Sequence, residues 1–230
     1  MQFDILHYPL DNQLLTKRAA MTTKNTKNIN NSVPEAMDSG LRIGIFGGTF
    51  NPLHNGHVAL AKAFLRQAGL DEVWFVVSPQ NPFKKNDALL DDSLRLEMVR
   101  RAVADIPRMR VSDVEFHLSR PSFMYVTLRH LRKVYPHCTF TLLIGGDNWA
   151  AFDRWANADE ILANYDIVVY PRSGDSIDPA SLPSNVRLLN TQLIDISSTL
   201  IRRRIAEGLP VDALVPPAVA AFITEKGLYR

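Results

Sequence analysis

The chain has 230 residues, of which 46% are hydrophobic and 22% charged, the composition of an ordinary globular protein with a sizeable core. Its 26 Lys and Arg residues nearly balance its 24 Asp and Glu residues, and a net charge of +2 argues against a broad nucleic-acid-binding surface. No run approaches the roughly 20 apolar residues of a membrane span, and the single cysteine, Cys138, excludes an intramolecular disulfide.

The first 40 residues differ from the rest of the chain. Residues 22–40 are polar, rich in Asn and Thr, and without apolar periodicity. The residues before them lack the continuous apolar core of a signal peptide, because charged residues and a proline interrupt it. We therefore predict that residues 1–40 form a disordered N-terminal extension and that residues 41–230 form a single domain.

From Leu41 onward, short runs of Val, Ile, Leu and Phe alternate with amphipathic stretches. The predicted strands are Arg42–Phe46, Glu72–Ser78, Arg110–Val114, Thr139–Ile144, Asp166–Tyr170 and Val186–Leu189. The predicted helices are His57–Gln67, Asp92–Ala104, Met124–Val134, Ala158–Asn164, Ser198–Glu207 and Pro217–Glu225. Continuous apolar strands that alternate with helices indicate an α/β protein with a doubly wound parallel sheet. In such sheets ligands bind beyond the carboxyl ends of the strands.

The turn after the first strand reads GGTFNPLHNGH, from Gly47 to His57. Its two leading glycines permit a positive φ and let main-chain amides approach a ligand closely. The spacing fits neither the dinucleotide fingerprint G-x-G-x-x-G nor a P-loop, since no Gly-Lys-Ser/Thr follows. Gly56 leaves room at the start of a helix, where free N–H groups and the helix dipole favour an anion. The turn is therefore predicted to bind phosphate.

Two histidines, His54 and His57, lie three residues apart in this turn and would stand beside the bound anion. Imidazole N–H groups can donate hydrogen bonds to phosphate oxygens, most strongly when the ring is protonated. Nothing in the turn supplies a nucleophile. The alternative interpretation is a pair of capping or core histidines. A zinc site is rejected because the pair lacks nearby Cys or Glu partners.

Three further loops carry candidate site residues. Lys84 follows the second strand and could reach a phosphate, and Phe123 precedes the third helix. Gly145 and Asp147 follow the buried fourth strand, where Asp147 could accept hydrogen bonds from ribose hydroxyls or act as a helix N-cap. Trp155 could stack on a heteroaromatic ring, although burial in a core is the usual role of a tryptophan.

The stretch ISSTLIRRRI, from Ile196 to Ile205, opens a predicted helix. Ser197 and Ser198 are candidates for its N-cap. Thr199 and Arg202 share one helical face, and an arginine near a helix N-terminus is easier to explain when an anion is bound there. A solvated basic face is the alternative. Both motifs follow strands of a parallel sheet, so they are predicted to converge at one edge of it.

These two motifs resemble those of the (H/T)xGH nucleotidyltransferases, which share a Rossmann-like fold. The resemblance implies that the first turn binds the triphosphate of ATP or CTP, with His54, His57 and Arg202 as the catalytic residues. The residues predicted to bind ATP are Gly47, Gly48, Thr49, Phe50, His54, Gly56, His57, Gly145, Asp147, Ser198, Thr199 and Arg202.

Residues 42–230 as a whole are similar to the bacterial nicotinate-nucleotide adenylyltransferases. The matching stretches are GIFGGTFNPLHNGH, NPFKK, IGGDNWAAFDRW, ISSTLIRRRI and ITEKGLYR. The resemblance implies that Lys84, Phe123 and Trp155 enclose a pyridine mononucleotide. The chain has Phe123-Met124 where the family usually has Tyr-Thr, and Lys84 where a histidine is common. These departures leave the preference for the acid over the amide mononucleotide open.

The activity implied is adenylyl transfer from ATP to nicotinate mononucleotide, giving nicotinate adenine dinucleotide and pyrophosphate in NAD biosynthesis. Mg²⁺ is expected, bound mainly through the ATP phosphates and without a protein ligand. The alternatives are another acceptor, such as nicotinamide mononucleotide or phosphopantetheine, and a non-catalytic nucleotide sensor. We expect a cytoplasmic enzyme with neither a nucleic-acid nor a membrane partner, and the sequence is compatible with a homo-oligomer.

Overall fold

The structure is a computed structural model, and it describes residues 40–79, 89–171, 177–191 and 196–230. The described strands, all in one parallel sheet, are β1 (Arg42–Gly48), β2 (Glu72–Val77), β3 (Met109–Ser112), β4 (Thr139–Gly145), β5 (Asp166–Tyr170) and β6 (Val186–Leu188). Their order across the sheet is β3-β2-β1-β4-β5-β6. The order reverses between β1 and β4, so the predicted doubly wound sheet is confirmed. The predicted N-terminal extension lies outside the described residues except for Gly40.

The helices of the described residues pack on both faces of the sheet. They are α1 (Asn55–Gln67), α2 (Asp92–Val103), α3 (Met124–Val134), α4 (Gly146–Trp149), α5 (Ala158–Asn164), α6 (Ser198–Ala206) and α7 (Pro217–Lys226). Short 3₁₀ turns lie at Val114–His117, Phe152–Arg154 and Pro179–Ser181. None of the helices in the described ranges is long and apolar enough to cross a membrane.

The sheet is buried on both faces because its central strands are apolar at nearly every position. In β2, Val73 and Phe75 belong to the core cluster that also contains side chains of α1, α2, α6 and α7. The alternate residues Trp74 and Val76 belong to a second cluster with side chains of α3 and α5. This double coverage explains the continuous apolar runs in the sequence. It also leaves the strand ends, rather than the faces, open to a ligand.

Most element boundaries lie within two residues of the prediction, and two of the differences have a local reason. Helix α1 begins at Asn55 rather than His57, because His54 takes the N-cap position with an extended backbone. Strand β3 ends at Ser112 rather than Val114, and Val114 begins a 3₁₀ turn. The main-chain N–H of Val114 donates to the Ser112 hydroxyl at 3.3 Å, which removes that amide from the strand ladder.

Candidate functional site

The turn between β1 and α1 lies at the switch point of the sheet. The two glycines that precede it, Gly47 and Gly48, end strand β1 and lie close to neighbouring side chains. Neither Gly47 nor Gly48 has a positive φ, so that expectation was wrong. A Cβ on Gly47 would lie 2.8 Å from the Met124 Cε, and one on Gly48 would lie 3.0 Å from the Phe50 ring. The positive φ of 46° falls on Phe50, whose ring is buried. A buried aromatic residue in that conformation indicates a turn fixed by its surroundings.

The two histidines of this turn form one stacked unit at the start of α1. His54 is the N-cap and His57 the third helical residue, and the two form a reciprocal capping box. The main-chain N–H of His54 donates to Nδ1 of His57 at 3.2 Å, and the ring centroids lie 3.7 Å apart. Because Nδ1 accepts this hydrogen bond, the neutral His57 ring carries its proton on Nε2. His54 therefore occupies the N-cap position, and its main-chain N–H fixes which nitrogen of His57 can donate.

Helix α6 packs directly against the same turn. Ser197 is its N-cap and accepts from the main-chain N–H of Leu200 at 3.1 Å, as predicted. Ser198, by contrast, donates through its hydroxyl to the Pro52 carbonyl at 2.9 Å. Arg202 donates from Nη1 to the Asn51 carbonyl at 2.8 Å and from Nη2 to the Thr199 hydroxyl at 3.3 Å. The two predicted motifs thus meet immediately before the histidine pair.

The penultimate residue of the chain supports this contact from the other side. The hydroxyl of Tyr229 donates to the Asn51 side-chain oxygen at 2.8 Å. Burial raises the pKa of Tyr229, so its phenol remains a protonated donor at neutral pH. The closing stretch ITEKGLYR is part of the family resemblance, but the sequence assigns no role to Tyr229. A contact across 178 positions has no local signal.

Substituting Tyr229→Phe removes this one hydrogen bond and keeps the ring. We expect the free energy of unfolding to fall by about 1 kcal/mol, measured by urea denaturation. The matched control is Tyr125→Phe, because Tyr125 contacts Arg129 and Phe123 through its ring. Equal stability of Tyr229→Phe and the wild type would show that the contact with Asn51 contributes nothing.

A fully buried arginine, Arg95 on α2, links this turn to the end of β2. Its guanidinium donates to the main-chain carbonyls of Thr49 at 2.8 Å, Ser78 at 2.7 Å, Leu90 at 3.0 Å and Pro79 at 3.3 Å, and to the Asp92 carboxylate. Sequence reasoning missed it because arginine in an amphipathic helix is usually on the solvent face. The signal was its spacing: Met98, Val99 and Ala102 follow at three, four and seven residues, which is the buried face.

A cavity of about 360 Å³ opens at the carboxyl ends of β1 and β4. Gly47, Gly48, Gly145, Phe123 and Trp155 are among its lining residues, so it adjoins the first turn. The indole nitrogen of Trp155 is buried and has no hydrogen-bond partner within the described ranges. Lys84, the third residue expected at this cavity, lies outside the described residues.

Gly145 and Asp147 lie together at the edge of this cavity. Gly145 is the N-cap of the one-turn helix α4 and Asp147 its second residue, so the N-cap interpretation of Asp147 was wrong. A Cβ on Gly145 would lie 2.5 Å from the Asp147 Oδ1 and 3.0 Å from the Tyr170 ring, so a larger residue there would require these side chains to shift. The Asp147 side chain is exposed and accepts from the Asn148 amide at 3.3 Å. It remains placed to accept hydrogen bonds from a hydroxylated ligand.

No group of three or more His, Cys, Asp or Glu side chains in the described ranges could hold a metal ion. The charged groups lining the cavity there are Glu115, which is buried, and Arg154, which is exposed. The described site therefore offers glycine-lined backbone, imidazoles and an arginine, which suit a polyphosphate.

Comparison with known proteins agrees with this geometry. The Cytidylyltransferase-like family profile matches residues 45–204. A Bacteroides fragilis protein named "Probable nicotinate-nucleotide adenylyltransferase" is 48% identical over 185 residues, covering 80% of this chain and 92% of that protein. A Flavobacterium johnsoniae protein with the same name is 41% identical over 192 residues, covering 83% of this chain and 100% of that protein.

Solved structures share the fold at lower sequence identity. The Plasmodium falciparum nicotinic acid mononucleotide adenylyltransferase complexed with NaAD aligns with a TM-score of 0.69 and 19% identity, covering 82% of this chain and 97% of that one. The same enzyme complexed with APC aligns with a TM-score of 0.70 and 20% identity, with the same coverage. These two structures establish likeness of fold.

Proposed function

The chain belongs to the nicotinate-nucleotide adenylyltransferase family, and we propose that its first turn and the start of α6 together carry out the reaction of that family. The reaction is adenylyl transfer from ATP to nicotinate mononucleotide in NAD biosynthesis, so the resemblance stated from the sequence is confirmed. The observation that supports our assignment of residues is the docking of Ser198 and Arg202 onto the main chain of Asn51 and Pro52.

The chemistry is an in-line displacement at the α-phosphorus of ATP. An oxygen of the acceptor 5′-phosphate forms the new bond to that phosphorus, and the bond from it to the bridging oxygen of the β-phosphate breaks. The bonding electron pair leaves with pyrophosphate, and nicotinate adenine dinucleotide is the other product. No covalent protein intermediate is required, so the protein contributes positioning and charge stabilisation.

His54 and His57 stabilise the α- and β-phosphates in this proposal. The hydrogen bond from the His54 main chain holds the His57 ring with its proton on Nε2, and Phe50 packs edge-on to that ring at 5.1 Å. A donor held in this way needs little reorganisation as charge develops on the phosphate oxygens. The N-terminus of α1, including the N–H of Gly56, adds its partial positive charge.

Arg202 stabilises the departing pyrophosphate. Asn51 and Thr199 each accept one hydrogen bond from its guanidinium, so the rest of the planar group is presented in a fixed orientation. The Ser198 hydroxyl is engaged with Pro52, so we assign Ser198 to the phosphates through its main-chain N–H at the first turn of α6. Thr199 contributes in the same first turn, and Gly47, Gly48, Thr49 and Phe50 line the approach of ATP.

Mg²⁺ is the cofactor of this proposal. The described residues contain no cluster of metal-ligating side chains, which fits an ion that arrives with ATP and is held by phosphates and water. When bound, it neutralises part of the triphosphate charge. The protein's share is then to orient the phosphates through Arg202 and the histidine pair.

The cavity beside the turn receives the pyridine mononucleotide, with ATP on the side of Gly145 and Asp147. Phe123 and Trp155 present aromatic rings to it. A flat heteroaromatic ring gains both burial and stacking between such side chains. We retain Lys84 as a proposed contact to the acceptor phosphate.

The proposed function predicts pyrophosphate release that depends on both substrates. Purified protein with ATP and Mg²⁺ should release pyrophosphate when nicotinate mononucleotide is added, measured with a coupled phosphate assay. Parallel reactions contain nicotinamide mononucleotide or phosphopantetheine, and a reaction with ATP alone is the blank. We expect the acid mononucleotide to give the highest kcat/KM.

Two outcomes would contradict this proposal. Tight ATP binding by calorimetry without pyrophosphate release from any acceptor would identify a nucleotide sensor. A higher kcat/KM with phosphopantetheine than with either mononucleotide would assign the cavity to a different acceptor.

A further inference from the structure

A carboxyl group is buried in the wall of the acceptor cavity. Glu115 lies in the 3₁₀ turn Val114–His117 after β3, is 1% exposed, and lines the cavity together with Ser78 and Ser122. Neither the phosphate chemistry nor the stacking of the pyridine ring uses this residue. A buried carboxyl group at a ligand cavity therefore calls for a separate explanation.

No cation faces this carboxyl group within the described ranges. The groups packed around it are the hydroxyls of Ser78 at the end of β2, Ser122 before α3 and Thr127 on α3. The Thr127 hydroxyl donates to Oε1 at 2.9 Å. The other oxygen, Oε2, and the hydroxyl of Ser122 are both buried without a hydrogen-bond partner among described residues.

In the part of the chain that the structure describes, the charged side chains near Glu115 do not compensate a negative charge there. On its own turn, His117 is exposed and lies beside Asp113 rather than the carboxyl group. Across the cavity, Arg154 is exposed to solvent. Burial raises the pKa of Glu115, and the neighbouring hydroxyls oppose this effect without cancelling it. An ionised carboxylate that no cation pairs with is costly in such a place, whereas the neutral acid costs less to bury.

The acceptor brings its own carboxylate into this cavity, since the reaction uses nicotinate mononucleotide. Two carboxylates in one partly desolvated cavity repel each other more strongly than they would in water. The amide mononucleotide has no such charge on its ring substituent. The charge state of the cavity wall thus bears directly on the choice between the two acceptors.

We propose that Glu115 is a specificity-determining residue, held as an uncharged acid in the wall of the acceptor cavity so that the wall does not repel a carboxylated pyridine. This inference rests on the proposed function of the cavity. At neutral pH, Glu115 then resembles a glutamine in charge and shape. Ionising it lowers the preference for the acid over the amide mononucleotide.

The test couples a kinetic ratio to a spectroscopic signal in the wild type and in Glu115→Gln. The ratio is kcat/KM for nicotinate mononucleotide divided by kcat/KM for nicotinamide mononucleotide, measured from about pH 5 to about pH 9. The effects of ATP titration and of acceptor-phosphate titration on kcat/KM are the same in both reactions, so they cancel in the ratio. The signal is the infrared C=O stretch of a protonated carboxylic acid, present in the wild type and absent from the variant.

We expect Glu115→Gln to keep the wild-type ratio at neutral pH within roughly threefold, because both side chains are uncharged. In the wild type, the ratio should fall roughly tenfold over the pH range in which the infrared signal disappears. The reason is that ionised Glu115 repels the carboxylate of the acid mononucleotide at short distance. It should stay constant wherever that signal persists. In Glu115→Gln the ratio should be independent of pH.

Three results would overturn the inference. They are a missing protonated-acid signal at neutral pH, loss of that signal without a change in the ratio, and a tenfold change in the ratio for Glu115→Gln at neutral pH. The control Glu97→Gln alters an exposed carboxylate paired with Arg101 and should behave like the wild type. The infrared measurement needs no turnover, so failure of the proposed function and failure of this inference are distinguishable.

Discussion

Replacing His57 by alanine is expected to lower kcat by a factor of about 10² to 10³ while changing the KM for ATP by no more than roughly threefold. The Nε2 donor is fixed by the hydrogen bond at Nδ1 and by packing against Phe50, so its interaction strengthens mainly as phosphate charge develops. The measurement is steady-state pyrophosphate release over a matrix of ATP and nicotinate mononucleotide concentrations.

Two variants separate lost chemistry from lost structure in that experiment. His57→Gln keeps an N–H donor near the Nε2 position and should recover part of the lost turnover. His137→Ala removes an exposed histidine that precedes β4 at the opposite edge of the sheet and should leave both constants unchanged. Equal, small losses in kcat and in ATP affinity for His57→Ala would contradict the role assigned to this residue.

Arg95→Met is expected to lower the free energy of unfolding by about 3 to 5 kcal/mol, the usual cost of removing one partner from a buried, charged hydrogen-bond network. The substitution keeps apolar volume but leaves the carbonyls of Thr49 and Ser78 without this donor, while Asp92 retains its contact with Arg120. Urea denaturation without ligands measures the loss. At a temperature where the variant stays folded, turnover should fall at least tenfold because the first turn and the end of β2 lose their shared anchor.

The control for this prediction lies on the same helix. Arg100 is exposed and pairs with the half-buried Asp113 at 3.5 Å, so Arg100→Met should change stability by less than about 1 kcal/mol. Arg95→Lys keeps the charge but has a single nitrogen, so it should fall between Arg95→Met and the wild type. An Arg95→Met variant as stable and active as Arg100→Met would show that the buried guanidinium anchors nothing.

The positions of most strands and helices were predictable because their signals are local. β5 and α3 occupy the predicted ranges. β1 begins as predicted and ends two residues later than predicted, at Gly48. The convergence of the two phosphate motifs was also predictable, because the carboxyl ends of parallel strands share one edge. The helix at Gly146 was less predictable, since one turn is too short for a periodic pattern to appear.

Errors and omissions at the site come from interactions that a local pattern does not contain. The sequence associates Gly47 and Gly48 with a positive φ, yet neither has one, and what the structure shows at them is close contact with Met124 on α3 and with the ring of Phe50. Arg95 was missed because an arginine in an amphipathic helix usually faces solvent, whereas carbonyl oxygens from two connections, β1–α1 and β2–α2, surround it in the structure. Tyr229 acts on Asn51 from the far end of the chain.

By itself, the sequence determined the class of fold and the edge of the sheet at which the two candidate phosphate motifs meet. Hydrophobic period and motif spacing encode these properties within short stretches of chain. Only the tertiary structure decided which side chains support the motifs. The pairing of Tyr229 with Asn51 and the burial of Glu115 among hydroxyl groups depend on which distant segments pack together, and burial then sets the strength of each interaction.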